Sequence, residues 1–445
     1  MRILIFSVQC PHSSVGDNTF SELFSSFPPE QLATLYIREE LPDDARCATY
    51  FQVSEQKVLH SLFHPRTETG RVVTPQTAPT EEDKAAGEAA RALYVRGRQA
   101  RTYHLRQCLR EAVWWLGRWH TPALDSFLDD FHPDVIVFDM SNYAHLTRMV
   151  RYAIRRTGAA AVGFLWDDTF TYRQGLHSPG FLLWRWINRR ALRRVSRLCG
   201  AFCAISQKTK QEADAFFGID CRIVTKPIRY APGETFCPTV PHQPLRLLYT
   251  GNLLTGRFDT LCLLAEALRE IQTDGVPRVV ADVYTATPLT EADMSRVSPW
   301  VIIHPAIPQS QVLEKQGEAD VLLFLEALTP PESRISRLSF STKITDYLHA
   351  GKCILAVGPP DVAPMEYLRG EDAALCVHDR AGIRQAVTRL FDDPSLLSAY
   401  GERAYACGRR NHSKELMDSR LRAVLDTALA ARDRQKAHRG GGGGS

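Results

Sequence analysis

Ser339–Leu355 reads SFSTKITDYLHAGKCIL. Small hydroxyl residues precede a helical pattern of roughly Lys343 to Ala350, Gly351 stops it, and Cys353 opens an apolar run. One short segment thus predicts turn, helix, stop and buried strand, the repeating unit of a parallel sheet covered by helices. The same alternation extends along the chain in both directions. Downstream of a boundary near residue 236, apolar runs stand at Arg246–Gly251, Arg278–Thr285, Trp300–His304, Asp320–Glu326, Cys353–Val357 and Ala373–Val377. Upstream they stand at Arg2–Val8, Ala33–Ile37, Asp134–Phe138, Ala160–Leu165 and Ala201–Ile205, with a long helical stretch from about Lys84 to His120. Runs this continuously apolar suit strands buried on both faces. The expected fold is α/β: two Rossmann-like doubly wound domains facing a central cleft, because open α/β sheets bind ligands beyond the carboxyl ends of their strands. The Pro-rich Lys226–Leu245 reads as the linker, so the domains are expected at 1–235 and 236–412, with a helix over 413–439 bracing the first domain. Gly440–Ser445, GGGGGS, has a flexible-linker composition and is set aside.

The 445 residues are 44% hydrophobic and 23% charged, which excludes global disorder, collagen and a membrane bundle. Fifty-four basic against 50 acidic side chains leave a net charge of +4, too small to make the whole surface attract nucleic acid. The excess is local, since residues 1–240 hold 30 basic and 25 acidic side chains. Eleven cysteines, scattered singly and odd in number, read as free thiols of a reducing compartment and form no metal-ligand spacing. The N-terminal apolar run is too short for a signal-peptide core, and no stretch reaches the roughly 18 apolar residues of a membrane span. A cytoplasmic or membrane-peripheral protein is expected.

At the head of the Lys343–Ala350 pattern, unpaired helix N–H groups and the positive end of the helix dipole favour an anion such as phosphate, and Lys343 adds a full charge. Asp346, one turn on, is an acceptor-only carboxylate suited to a vicinal diol such as a ribose. The plain structural alternative makes Ser341 only an N-cap and Asp346 a solvated helix residue. The stretch resembles the nucleotide-sugar site of GT-B glycosyltransferases, especially the retaining family-four enzymes of bacterial cell-surface polysaccharide synthesis, whose motif reads roughly K-x-x-E-Y/A-x-A-x-G. In that family two glutamates lie seven residues apart; the second, which holds the ribose, maps to Asp346, and Ser339 stands at the first, beside the donor sugar. The resemblance also places the amides of Ser341 and Thr342, with Lys343, on the donor diphosphate. A second piece, Tyr249–Arg257 (YTGNLLTGR), resembles the family's G-R-x-x-x-x-K-G turn, with Asn252 at its arginine and Arg257 at its lysine. Arg257 and Lys343 would then neutralise the departing diphosphate without a metal ion. The His304–Pro308 loop, with Ile307, corresponds to the segment that meets the nucleobase.

In the first domain, Gln9–Thr19 holds Gly16 and resembles the family's glycine-containing loop near the donor phosphates. Asp167 and Asp168 follow a strand where the family often has a His-Asp pair touching the transferred sugar. Adjacent side chains diverge on extended backbone, so one of the two is expected to face the site, Asp168 being favoured; both also read as plain turn formers. Phe181–Leu198 carries six arginines, two tryptophans and no acid, and Arg106, Arg110, Trp114, Trp115, Arg118 and Trp119 add to it. That pattern suits an anionic membrane surface, or equally the buried faces of Rossmann helices with their arginines solvated. The resemblance implies a glycosyltransferase that takes a nucleotide-diphosphate sugar, needs no cofactor and passes the sugar to a saccharide or lipid-linked acceptor; nucleic acid, a third reading of the basic stretch, is disfavoured because the second half is acidic and no known reading module is present. An epimerase on the same fold and a non-catalytic scaffold with a basic face are the alternatives.

Overall fold

The computed structural model describes residues 1–10, 19–42, 45–77, 80, 103–171, 178–272 and 277–440. Two compact units divide the chain: the first holds Met1–Ile205, Lys210–Val224 and the residues from Asp418 onward, the second Ser206–Thr209 and Thr225–Met417. The chain returns to the first unit within its last helix, Lys414–Gly440.

Among the described residues the first unit is built on eight strands, β1 (Ile3–Ser7), β2 (Leu32–Tyr36), β3 (Thr49–Val53), β4 (Gly70–Val73), β5 (Val135–Asp139), β6 (Ala160–Leu165), β7 (Ala201–Ala204) and β8 (Cys221–Ile223). They lie in the order β4-β3-β2-β1-β5-β6-β7-β8. All neighbours are parallel except β4, which closes one edge antiparallel to β3. The five runs expected from sequence form β1, β2, β5, β6 and β7, while β3, β4 and β8 were not anticipated. β4 and β8 span only four and three residues, too few to show a period, and in β3 the buried Gln52 interrupts the apolar run. Gln52 is accommodated because its amide donates to the carbonyls of Arg38 and Glu39 at 3.1 Å. Of the helix expected over Lys84–His120, the described part runs Tyr103–Leu116 and the remainder before it lies outside the described residues.

In the second unit the six expected runs form β9 (Leu245–Thr250), β10 (Val279–Thr285), β11 (Val301–Pro305), β12 (Val321–Leu325), β13 (Cys353–Val357) and β14 (Leu375–Val377). Their order is β11-β10-β9-β12-β13-β14, all parallel. The chain builds outward from β9 on one side and then crosses back to lay β12 on the other. The connections after β9 and β12 therefore depart toward opposite faces, opening a crevice at the carboxyl ends of these two strands. One face is sealed by Leu261, Leu264, Leu268, Ile383, Val387 and Leu390 from the helices Arg257–Ile271 and Arg380–Asp392. The helix Thr342–Ala350 is anchored where the Tyr347 hydroxyl donates to the Leu323 carbonyl at 3.1 Å. Among the described residues no helix is long and apolar enough to cross a membrane.

Candidate functional site

The crevice beyond β9 and β12 is lined from three directions. From β9 comes Tyr249, 1% exposed, whose hydroxyl donates to the Asn252 carbonyl at 2.6 Å and tightens the turn that follows the strand. Burial pushes its phenol well above the usual range, so the ring is neutral. Arg257 opens the next helix and ties the two strands together across the crevice. Its Nε donates to the Leu325 carbonyl at 3.2 Å and its Nη1 to Asn252 Oδ1 at 3.2 Å. Its Nη2 meets Glu326 Oε1 at 3.2 Å and Oε2 at 3.3 Å. Glu326, 3% exposed, stands just past β12. A carboxylate so buried requires a paired cation, and Arg257 supplies it.

The third direction is the head of the Thr342–Ala350 helix. Ser341 is its N-cap, the hydroxyl accepting the Lys343 N–H at 3.4 Å. Lys343 then runs from the helix to the end of β9. Its ammonium donates to the Tyr249 hydroxyl at 3.1 Å and sits 4.3 Å from the centre of that ring. This path crosses directly over Gly251, where a Cβ would come within 2.1 Å of Nζ. Gly251 also has φ 141°, a backbone region that residues with a side chain rarely adopt. Glycine is therefore required both for the turn and for the lysine that lies on it. Burial, with Arg257 next, pushes the Lys343 amine down to about 7, against the opposing pull of Glu326 and Asp346. Near neutrality this amine changes charge readily.

Asp346, one turn further on, is held by Lys226, whose Nζ lies 2.7 Å from Oδ1. Asn252, Arg257, Ser341, Thr342, Lys343 and Asp346 are thus carried on β9, its turn and one helix, within the second unit. Ser339 lies before the cap, its N–H donating to the Ser336 carbonyl at 3.1 Å. Ile307, half-buried, lies on the loop between β11 and the helix Gln309–Glu318, two strands from β9. Just before that loop the His304 ring stacks on Tyr284 at 4.5 Å and its Nε2 is 2.7 Å from Asp282 Oδ1.

In the first unit Asp167 is exposed and Asp168 is 6% exposed, so the two side chains do diverge. Asp168 Oδ1 accepts the Thr171 N–H at 2.8 Å and Oδ2 accepts the Thr171 hydroxyl, which makes this carboxylate the clasp of its own turn. Gly16 lies outside the described residues. Sequence reading had Gly251 only as the glycine of its turn, and missed Tyr249, Glu326 and Lys226 as parts of the cluster. Glu326 left a signal, a carboxylate ending the apolar run DVLLFLE, whereas Lys226 is 120 residues from the aspartate it pairs with.

No protein-family model matches the sequence, and no curated protein matches it by sequence. The fold is another matter. The sucrose-phosphate synthase of Thermosynechococcus elongatus superposes with a TM-score of 0.62 at 11% identity, covering 97% of this chain and 99% of that one. HepE of Anabaena, solved in complex with UDP, gives 0.60 at 10% identity over 96% and 100% of the two chains. The trehalose-6-phosphate synthase of Burkholderia multivorans gives 0.56 at 12% identity, covering 98% of each. The chain has the fold of the GT-B glycosyltransferases, two parallel-sheet Rossmann-like units.

Proposed function

We propose that this protein is a glycosyltransferase that binds a nucleotide-diphosphate sugar in the crevice beyond β9 and β12 and passes the sugar to a saccharide or lipid-linked acceptor. The observation that carries the reading is the Lys343 ammonium laid over Gly251 at the head of a helix and beside Arg257, at the switch point of a doubly wound sheet. A diphosphate fits this arrangement on charge. Glu326 already balances Arg257, so the proton that Lys343 takes up and the helix dipole are what answer the ligand's charge. As the bond from the sugar's anomeric carbon to the diphosphate oxygen breaks, negative charge grows on that oxygen, and a preorganised ammonium stabilises it. Retaining transfer without a metal ion is what the resemblance of the sequence implies, and the ammonium and the helix dipole are the groups that would answer the leaving group's charge in it. Asp346, steadied by Lys226, offers its carboxylate to the ribose hydroxyls. Asp168 or Asp167 is assigned to the transferred sugar, Ser339 to its donor side, and the Ile307 loop to the base. That a protein of similar fold was solved in complex with UDP supports a nucleotide as the ligand.

Calorimetric titration with a panel of UDP-, GDP- and TDP-sugars tests this reading. Binding of one base series by the native protein, lost in Asp346→Ala, is the expected result; no heat with any donor overturns it.

A further inference from the structure

The helix Tyr103–Leu116 is built inside out. Its leucines Leu105, Leu109 and Leu116 fall on one stripe, and with Trp115 they are 52–72% exposed. Arg106 is exposed beside them, whereas Arg110 and Glu111 point the other way, with the buried Trp114. Arg110 donates from both Nε and Nη2 to the Glu55 carboxylate, and Glu111 Oε1 accepts the Ala144 N–H at 3.0 Å and meets His145 Nδ1 at 2.8 Å. A helix that holds Arg110 and Glu111 in interior ion pairs and sets three leucines and a tryptophan on the surface beside Arg106 suits a medium that is apolar and anionic by turns.

The neighbouring helix Pro179–Ser196 continues the surface. Gly180 lets the two backbones meet, since a Cβ there would lie 3.3 Å from the Leu105 backbone nitrogen. His104 packs edge-on against Phe181 at 4.9 Å, which fixes the crossing. Leu182, Leu183 and Trp186 are 47–59% exposed beside that crossing. Beyond them the face turns cationic: a groove is lined by Leu182, Trp186 and six arginines from Arg185 to Arg197. Arg190 stacks on Trp186 at 5.6 Å and Arg193 on Phe216 at 4.5 Å. No acidic residue occurs between Asp168 and Glu212, and among the described residues Arg190, Arg193, Arg194 and Arg197 have no carboxylate partner.

We propose that these two helices dock the protein on the surface of an anionic lipid bilayer, leucines and tryptophans entering the acyl boundary and arginines meeting the lipid phosphates. A soluble polyanion would satisfy the arginines but leave the leucine stripe in water; an apolar protein groove would do the reverse. A bilayer interface offers both chemistries side by side, with tryptophan at headgroup level. Among the described residues no helix is both long and apolar enough to cross a membrane, and the proposed contact is with one leaflet. Donor binding is assigned to other residues, so either proposal stands or falls alone.

Flotation of the full chain with phosphatidylcholine vesicles, with and without phosphatidylglycerol, tests it, the donor titration serving as a separate control. Binding is expected only with phosphatidylglycerol. Arg190→Gln/Arg194→Gln should weaken it about 25-fold, roughly fivefold per cation. Leu109→Gln/Leu116→Gln should weaken it at least ~10-fold by removing apolar burial. Arg384→Gln/Arg389→Gln, which removes the same charge from a surface of the second unit, should leave it unchanged. All these side chains are exposed, and a native dichroism spectrum shows that each variant folds. No flotation, equal flotation with neutral lipid, or flotation that the first two variants leave intact overturns the proposal. So does a self-associated chain that those variants render monomeric and that ignores vesicles.

Discussion

Titrating a UDP-sugar into the protein across the alkaline limb tests the state of Lys343. In the free protein its amine is held near 7 against an ordinary value of 10.5, by burial first and Arg257 second. The pyrophosphate diester of a nucleotide sugar keeps constant charge at and above neutrality, so the phosphates themselves add no slope. If the bound pyrophosphate returns the amine to about 10, binding takes up a proton wherever the free site has lost one. Above its free value each pH unit then costs about 1.4 kcal/mol of binding. The affinity should fall ~10-fold between about pH 6 and pH 8 and ~80-fold between about pH 6 and pH 9. The sign is fixed by the direction of the shift: a depressed amine that an anion raises makes binding stronger at low pH. Isothermal titration calorimetry in buffers of different ionisation enthalpy reads both quantities, the affinity and the protons taken up. In Lys343→Met the pH slope and the proton uptake should vanish together with most of the affinity. A donor that binds the native protein with the same affinity at pH 6 and pH 9, or without proton uptake, refutes the placement of its phosphates on Lys343.

Four further outcomes follow from the same geometry. Lys343→Met should also raise stability at neutral pH by about 2 kcal/mol or more, because the unfolded chain holds that proton more strongly than the folded one; a lower melting temperature would contradict the burial argument. Gly251→Ala puts a methyl 2.1 Å from Nζ at φ 141° and should displace the ammonium, cutting donor affinity at least ~10-fold while backbone strain costs roughly 1–3 kcal/mol. Retained affinity by calorimetry would show that the lysine does not act from this position. Lys226→Met should lower donor affinity without touching the phosphates, by releasing Asp346, and its effect should be absent in an Asp346→Asn background. His145, buried flat against Trp114, has its imidazole pushed below the usual range mainly by burial, so stability is full above pH 6.5 and is lost progressively as pH falls from there toward the lower folded-state value. Urea denaturation should therefore show a midpoint that declines on acidification, less steeply in His145→Gln.

Much of the second unit was legible because its strands are buried on both faces and read as unbroken apolar runs. LRLLYT and VLLFL need no partner to identify them. The helix from Thr342 was legible from its cap and its glycine stop, and with it the helix end proposed to hold the phosphates. Strands β4 and β8 were not, being too short for periodicity to accumulate. What the sequence left unseen in the site is what only folding brings together. Lys226 reads as the start of a proline-rich connection, yet it becomes the partner of Asp346. Arg257 was expected as a cation turned toward phosphate, and the carboxylate that engages it is supplied by a strand 69 residues away. The outward leucines of Tyr103–Leu116 were hidden for a related reason: helical periodicity gives a stripe but not the side of the molecule it faces, and the ion pairs of Arg110 and Glu111 decide that.

The most direct test is a crystal structure of the protein with a bound UDP-sugar. The account predicts the pyrophosphate at the head of the Thr342–Ala350 helix, against the Lys343 ammonium and the backbone amides of Ser341 and Thr342, with the ribose on Asp346. A pyrophosphate bound elsewhere, with Lys343 still resting on Tyr249 and Gly251, would contradict it.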